Sequence, residues 1–239
     1  MLEKAVLPYG GVPQTENLEA TIQEIIENLE QKGLRLQPKE RGLFTLLLRS
    51  YPEVCTMEQI VRELWEGKDA SYEAGYKNLR ESNRVYTSIL RHKHKLEEAG
   101  LSQTYRLINI SGFGYALEID TPEGKARIAR LKETPLHEAG DAALLARILL
   151  LNDIKVPRYT AITLMALFRS GGHAVEKEQI CQEVWGDSIN RTGLLTQCIA
   201  NLRKALGGKQ INGFQYEIET HGGVGYSLNI NHVAVVNVT

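Results

Sequence analysis

The chain contains an internal repeat, and this repeat constrains the fold more than any other feature. Met57-Glu-Gln-Ile-Val-Arg-Glu-Leu-Trp65 and Lys177-Glu-Gln-Ile-Cys-Gln-Glu-Val-Trp185 are identical at five of nine positions. An apolar-periodic segment precedes each copy, and Gly112-Phe-Gly-Tyr115 and Gly223-Val-Gly-Tyr226 follow at similar distances. Because the same signals recur in the same order, the sequence predicts a duplicated module of roughly 80 residues.

Length and composition agree with two small domains. The 239 residues are 43% hydrophobic and 24% charged, which is typical of globular proteins and disfavours intrinsic disorder. Thr121-Pro-Glu-Gly-Lys125 lacks an apolar period and carries Pro and Gly, so we place a linker there. One module is predicted in residues 1–122 and the other in residues 126–239.

Each module is predicted to contain three short helices followed by a β-hairpin. The helices of the first module are predicted at 38–49, at 57–65 and from 76 or 82 to 98. Thr56 is the predicted N-cap of the second of these helices, with Gln59 as its capping-box partner. The helices of the second module are predicted at 159–169, 176–184 and 192–206. The strands are predicted at 104–111 and 115–119, and near 216–220 and 226–230, in each case around a glycine-rich turn. This α+β order is the outline of a winged helix-turn-helix, with the hairpin as the wing.

An amphipathic helix is predicted in front of each module, at residues 16–32 and 137–152. Two interpretations remain open for their apolar stripes. The helices pack on their own modules or on each other, which we favour, or they form a homodimerisation or partner-docking surface.

The third helix of the first module is predicted to carry a DNA-binding face. Val85, Ile89 and Leu96 share one face, with His92 between them. The DNA-binding candidates on or beside the opposite stripe are Arg84, Thr87, Ser88, Arg91, Lys93 and Lys95. From Lys77 to Lys95 there are six Lys or Arg against one acid, Glu81, so this segment is locally basic although the net charge of the chain is −1. Arginine can donate two hydrogen bonds to guanine in the major groove, and Arg91 is our first choice for base readout.

The third helix of the second module carries a different set of polar side chains. Its core stripe is Leu195, Ile199, Leu202 and Leu206, and its DNA-binding candidates are Thr196, Gln197, Asn201, Arg203 and Lys204. Gln and Asn are the side chains that pair with adenine through two hydrogen bonds. The two modules are therefore predicted to prefer different bases.

Two tryptophans and three cysteines are predicted to be structural. Trp65 and Trp185, equivalent in the repeat, are expected in the core, closing the second helix against the wing. Cys55, Cys181 and Cys198 are odd in number and lack CxxC spacing, which argues against a disulfide framework or a zinc site. We expect a soluble protein in a reducing cytoplasm, because no apolar run has the ~20 residues that a membrane span needs.

Neither an enzyme nor a cofactor site is predicted. The glycines at Gly112 and Gly222–Gly225 follow a strand but open a second strand, whereas a phosphate-binding loop requires a helix N-terminus. No nucleophile–base pair stands out. His92 and His94 have no third metal ligand nearby and are predicted to be a core-edge and a surface histidine.

The motifs resemble a known family, the OmpR/PhoB-type winged-helix DNA-binding domain. In the first copy the resemblance lies in Leu36-Gln-Pro-Lys-Glu40, Trp65 and Ile110-Ser-Gly-Phe-Gly-Tyr115. The second copy is similar to the CadC/ToxR branch through Leu195-Thr-Gln-Cys-Ile-Ala-Asn-Leu-Arg-Lys-Ala-Leu-Gly207 and Ile218-Glu-Thr-His-Gly-Gly-Val-Gly-Tyr226. The resemblance implies a bacterial or phage transcription regulator whose third helix enters the major groove and whose wing touches the minor groove or backbone of double-stranded DNA.

The chain departs from the family pattern at its wings. Where the family usually has an arginine before the wing glycine, this chain has Ser111 and Gly222, so phosphate contacts are expected there instead. The loop between the second and third helices, which in the family can touch RNA polymerase, is long in the first copy (66–82) and is a candidate polymerase contact. The alternative function is that of a replication initiator or of a protein-docking module, because tandem winged helices also occur in both.

Overall fold

The computed structural model describes residues 15–64, 79–186 and 191–233. The chain divides into two compact units, with the division at Ala129/Arg130. Trp65, Lys77 and most of the predicted polymerase loop lie outside the described residues. No helix in the described ranges has both the length and the apolar character that a membrane crossing needs.

The elements of the two units follow a similar order, with one additional short strand, β5, in the second unit. The first unit contains α1 (Thr15–Gln31), α2 (Pro38–Ser50), β1 (Cys55–Thr56), α3 (Met57–Leu64), α4 (Leu79–Glu98), β2 (Tyr105–Ile110), β3 (Gly114–Ile119) and most of α5 (Pro122–Glu133). The second contains a short 3-10 turn (Leu136–Glu138), α6 (Ala142–Leu151), α7 (Arg158–Arg169), β4 (Val175–Glu176), α8 (Lys177–Trp185), α9 (Thr192–Leu206), β5 (Gln210–Ile211), β6 (Phe214–His221) and β7 (Gly225–His232).

Local capping explains where several helices begin. The backbone N–H of Thr56 donates to Oε1 of Gln59 at 2.8 Å, and the N–H of Gln59 donates to Oγ1 of Thr56 at 3.2 Å. The capping box predicted for α3 is therefore confirmed. The predicted start of the second leading helix at residue 137 is wrong, because Asp141 accepts a hydrogen bond from the N–H of Leu144 at 2.8 Å and begins α6 there.

The segment predicted as a linker is instead the start of a helix. Thr121 Oγ1 accepts a hydrogen bond from the N–H of Gly124 at 3.0 Å, and Pro122 occupies the first helical position of α5. Proline is well tolerated at this position because its missing N–H would have no partner in the helix. The Pro and Gly residues that predicted a linker thus belong to the N-terminus of a helix.

The two sheets share one pairing pattern around the wing. Their strand orders are β1-β3-β2 and β4-β7-β6-β5, and every pair is antiparallel. Thr56 pairs with Gly114 in the first unit, and Glu176 pairs with Gly225 in the second. A Cβ on either glycine would overlap the carbonyl oxygen of the opposing short strand. Glycine is therefore required at both positions for the wing to approach the strand that precedes the second helix.

The leading helices are buried against their own units. Ile22, Ile25, Ile26 and Leu29 of α1 lie in the core of the first unit, and α6 packs on α7 in the second. This is the packing that we favoured for these helices. Most of the described apolar side chains of the two stripes are therefore buried within their own units.

The tryptophan and cysteine predictions have different outcomes. All three cysteines are buried thiols, and burial raises the pKa of the Cys55 thiol to about 11. Trp185 is only half-buried, and its ring lies 5.7 Å from that of Tyr159 on α7. The prediction that Trp185 is a core residue against the wing is therefore wrong.

Candidate nucleic-acid interface

Helix α9 separates an apolar face from a polar one. Its core stripe of Leu195, Ile199, Leu202 and Leu206 is buried, as predicted. The side chains of Thr196, Gln197, Ala200 and Lys204 are exposed, and the helix contains no Asp or Glu. The exposed face of α9 can therefore meet a polyanion without like-charge repulsion from its own helix.

The two predicted adenine readers on α9 touch each other. The side-chain amide of Gln197 donates to Oδ1 of Asn201 at 3.0 Å, and the hydroxyl of Thr196 donates to the Thr192 carbonyl at 2.9 Å. This hydrogen bond orients both side chains. It does not use the side-chain carbonyl of Gln197 or the side-chain amide nitrogen of Asn201. Paired amides of this kind present acceptor and donor groups side by side, as the edge of adenine requires.

Arg203 anchors α9 to the wing. Its Nε and Nη2 donate to the Ile218 carbonyl at 3.1 Å and 2.9 Å, and Nη2 also donates to Thr220 Oγ1 at 2.7 Å. Sequence reasoning grouped Arg203 with the DNA contacts, because spacing along a helix does not reveal a partner on a distant strand. In the structure its donors fix the angle between the helix and β6.

The wing of the second unit ends in a glycine turn. Gly222 and Val224 are exposed, and Gly223 has a φ of +78°, a conformation that favours glycine. His221 lies beside the turn, with Nε2 2.8 Å from Oγ of the buried Ser227. The predicted contact at Gly222 can come only from backbone groups.

Helix α4 has the same division into faces. Val85, Ile89 and Leu96 are buried as predicted, and His92 is fully buried between them. The four positions have the same spacing as the α9 core stripe, so His92 occupies the place that Leu202 has in the second unit. His94, predicted at the surface, is 72% exposed and lies 3.7 Å from the Glu98 carboxylate.

His92 lies in an apolar pocket that disfavours its charged form. Its ring stacks on Phe44 with 6.1 Å between centroids, and Nδ1 lies 3.1 Å from the Ser88 carbonyl. Burial lowers the pKa of His92, and the opposing influence of the Ser88 carbonyl and of the Glu40 carboxylate is smaller. The imidazole is held in its neutral form, with Nδ1 donating to the carbonyl.

Lys95 is used inside the first unit. Its ammonium donates to Glu40 Oε2 at 2.5 Å and to the Arg35 carbonyl at 2.7 Å. Burial favours a raised pKa for Glu40, whose side chain is only 6% exposed, but the hydrogen bonds from Lys95 and from the Gln37 N–H hold that pKa below its ordinary value. The sequence placed Lys95 on the DNA-binding stripe, and nothing in the helix spacing signalled this carboxylate partner on α2.

The remaining candidates of the first unit lie at its surface. Arg84, Thr87, Arg91 and Lys93 are exposed on α4, Ser88 is half-buried, and Ser111 is exposed at the wing turn. Two features that the sequence reasoning passed over share this surface: Tyr86 and Leu90, which are 54% and 47% exposed. In the described ranges, no three His, Cys, Asp or Glu side chains gather as metal ligands.

Comparison with protein families gives a match within the second unit. The model of the family described as "Transcriptional regulatory protein, C terminal" matches residues 153–228, which run from the loop after α6 into β7. No curated protein and no solved structure matches the chain in such comparisons. The matched family is a DNA-binding regulatory domain and not an enzyme family. The match supports one winged-helix DNA-binding domain of the OmpR/PhoB type, the type found in transcription regulators, at residues 153–228.

Proposed function

We propose that the chain is a sequence-specific transcription regulator that binds double-stranded DNA through two unlike winged helices. In this proposal, α4 and α9 enter the major groove, and the wings β2–β3 and β6–β7 contact the backbone or the minor groove. The observation that carries it is the acid-free, exposed polar face of α9 inside the domain that matches the regulator family.

The first unit supports the proposal through its pairing pattern. Thr56–Gly114 and Glu176–Gly225 are equivalent pairs, and both glycines are required by the same backbone approach. A shared order of helices can arise by convergence, but a shared register with a shared steric requirement is what a duplication leaves behind. We therefore infer that the first unit is a diverged copy of the second.

The surface of α4 supplies the charge that binding to phosphates requires. Arg84, Arg91 and Lys93 are exposed on it, whereas the ammonium of Lys95 is used internally. The two third helices thus carry different donor and acceptor sets, with arginines on α4 and the Gln197–Asn201 pair on α9. This difference predicts an asymmetric site with one guanine-containing and one adenine-containing half.

One observation favours the alternative that the first unit docks on a protein. Tyr86 and Leu90 expose apolar surface on the face that would enter the groove. A protein partner such as RNA polymerase could cover them, and the first unit would then contribute no DNA contacts.

The test is selection of bound sites from a random duplex library with the full chain, followed by footprinting. We expect protection of two unlike half-sites whose centres lie about one helical turn, roughly 10 bp, apart. Arg91→Ala should weaken protection in one half and Lys204→Ala in the other. Lys32→Ala and Lys155→Ala, which remove exposed lysines outside the third helices and wings, are the matched controls.

The outcomes separate the two functions. If Arg91→Ala leaves the footprint unchanged while Lys204→Ala weakens it, the first unit does not read DNA, and the docking alternative is supported. If no sequence is enriched and neither variant changes binding, the regulator proposal is wrong for the whole chain.

A further inference from the structure

The third helices share a row of apolar groups beside their polar residues. Tyr86 and Leu90 lie one turn apart on α4, and both are exposed. Matching the buried stripes of the two helices places Thr196 and Ala200 of α9 at the equivalent positions, and these are exposed as well. We call these four residues the methyl row, because each presents a methyl group or an aromatic ring to solvent.

The methyl row lies on the side of the helix that faces the wing. On α9, Arg203 continues the row by one turn and bonds to the Ile218 carbonyl of β6. On α4, the match between the buried stripes of the two helices puts Tyr86 and Leu90 on the corresponding side, towards the hairpin β2–β3. The row therefore runs between the central polar row (Thr87 and Arg91, or Gln197 and Asn201) and the hairpin.

The surroundings of the row identify the chemistry of its partner. Exposed cations border it on α4, at Arg91 and Lys93, and on α9, at Lys204. A partner that fits must be polyanionic and must also present small apolar groups at the same surface. The major groove of DNA does both, because the C5-methyl of thymine lies there beside hydrogen-bonding base edges.

We infer that the methyl row contacts thymine methyl groups in the major groove and so sets the sequence preference next to the bases read by the polar row. This inference rests on the proposed function. The bulky pair on α4 can cover methyl groups of neighbouring base steps, whereas Thr196 and Ala200 allow a closer approach of α9 to a single step. Specificity for thymine would then differ between the two half-sites.

Replacement of thymine by deoxyuridine tests the inference, because it removes the C5-methyl and leaves every hydrogen-bonding group in place. The full chain is titrated against its library-selected duplex and against duplexes with a single thymine replaced. We expect at least one replacement in each half-site to weaken binding about fourfold, the value for losing one buried methyl-sized group.

Variants assign each effect to a side chain. The Leu90→Ala variant should bind the thymine duplex and a duplex with deoxyuridine at one position of the first half-site with equal affinity. The Leu90→Met variant should keep most of the difference in affinity between these two duplexes. Thr196→Ser keeps the hydroxyl that bonds to Thr192 but lacks the methyl, so it should remove the difference at one position of the second half-site. Arg91→Ala is the control, which should weaken binding but preserve the deoxyuridine effect.

The result also separates this inference from the proposed function. If both half-sites are protected but no deoxyuridine replacement matters, or if the effect persists in Leu90→Ala and Thr196→Ser, the inference is overturned and the two-reader function stands. If α4 protects no DNA, the inference and the two-reader function both fail for the first unit.

Discussion

Replacing His92 by leucine should make the stability of the first unit less sensitive to mild acid. His92 is fully buried at the position that Leu202 occupies in the second unit, and its ring stacks on Phe44. Nε2 of His92 makes no well-formed hydrogen bond, and the backbone of Glu40 is the group that opposes burial there. The imidazole is therefore neutral in the folded unit, and a proton added to it would place a charge in an apolar pocket.

The sign of the effect follows from the lowered pKa of His92. In the unfolded chain this histidine titrates near its ordinary pKa of about 6.5, so between that pH and the lower folded pKa the unfolded state binds more protons. The free energy of unfolding then falls as the pH falls, by at most about 1.4 kcal/mol per pH unit in this window. Glu40 also has a lowered pKa, so its protonation lies below this pH window.

The assay is differential scanning calorimetry of the full chain at several pH values from about pH 5 to about pH 7.5. In the wild type, the transition of the first unit should move to lower temperature on acidification, and His92→Leu should reduce this shift. At neutral pH the leucine variant should also gain up to about 1 kcal/mol, because it removes a buried nitrogen that lacks a well-formed hydrogen bond.

His94→Leu is the matched control, because it makes the same replacement on α4 at a side chain that is largely exposed and not buried. The reasoning is refuted if the wild type and His92→Leu lose stability in parallel between pH 7 and pH 5, within the window given by the histidine pKa of about 6.5.

Four further substitutions test other parts of the structure. Gly225→Ala should lower the free energy of unfolding by roughly 2–4 kcal/mol, because the added Cβ would overlap the Val175 carbonyl. Gly193→Ala should raise the free energy of unfolding by up to ~1 kcal/mol, because a Cβ at this helical position meets open space. Urea unfolding measures both effects. Arg203→Ala should weaken binding to selected and random duplexes by similar factors, because it loosens the wing and removes no base contact; a titration in which only the selected site suffers would contradict this. Arg91→Ala should instead cost about 1–3 kcal/mol on the selected site and relax the preference at one position, as a repeated library selection would reveal.

Much of the fold was predictable because its signals are local. The capping box at Thr56 and the buried stripes of α4 and α9 depend on residues three or four apart, and these were predicted correctly. The segment after Thr121 was misread because Pro and Gly mark both turns and helix starts, and only the hydrogen bond from the Gly124 N–H to Thr121 distinguishes the two. The start of α6 was misplaced for a similar reason, since Asp141 is one of several residues that can cap.

The candidate site was less predictable because it depends on partners far away in the sequence. Lys95 and Arg203 have the spacing and the charge of DNA contacts, yet Lys95 bonds to Glu40 on α2 and Arg203 bonds to Ile218 on β6. Tyr86 and Leu90 were overlooked because apolar residues on a helix are usually assigned to the core. Their exposure becomes visible only when the whole helix has been packed.

The short strands before the second helices have a mechanical consequence. The first amide of α3, on Met57, donates to the Phe113 carbonyl in the wing turn at 2.7 Å, and the amide of Lys177 donates to the Val224 carbonyl at 3.3 Å. The tip of each hairpin is thereby hydrogen-bonded to the N-terminus of a helix, in addition to the pairing of the hairpin with a short strand. Such a wing has no hinge of its own, and re-aiming it would break backbone bonds at several points. If these units bind a duplex, bending of the DNA should contribute to the fit, so sequences that share the contacted bases but differ in stiffness should bind with different affinities.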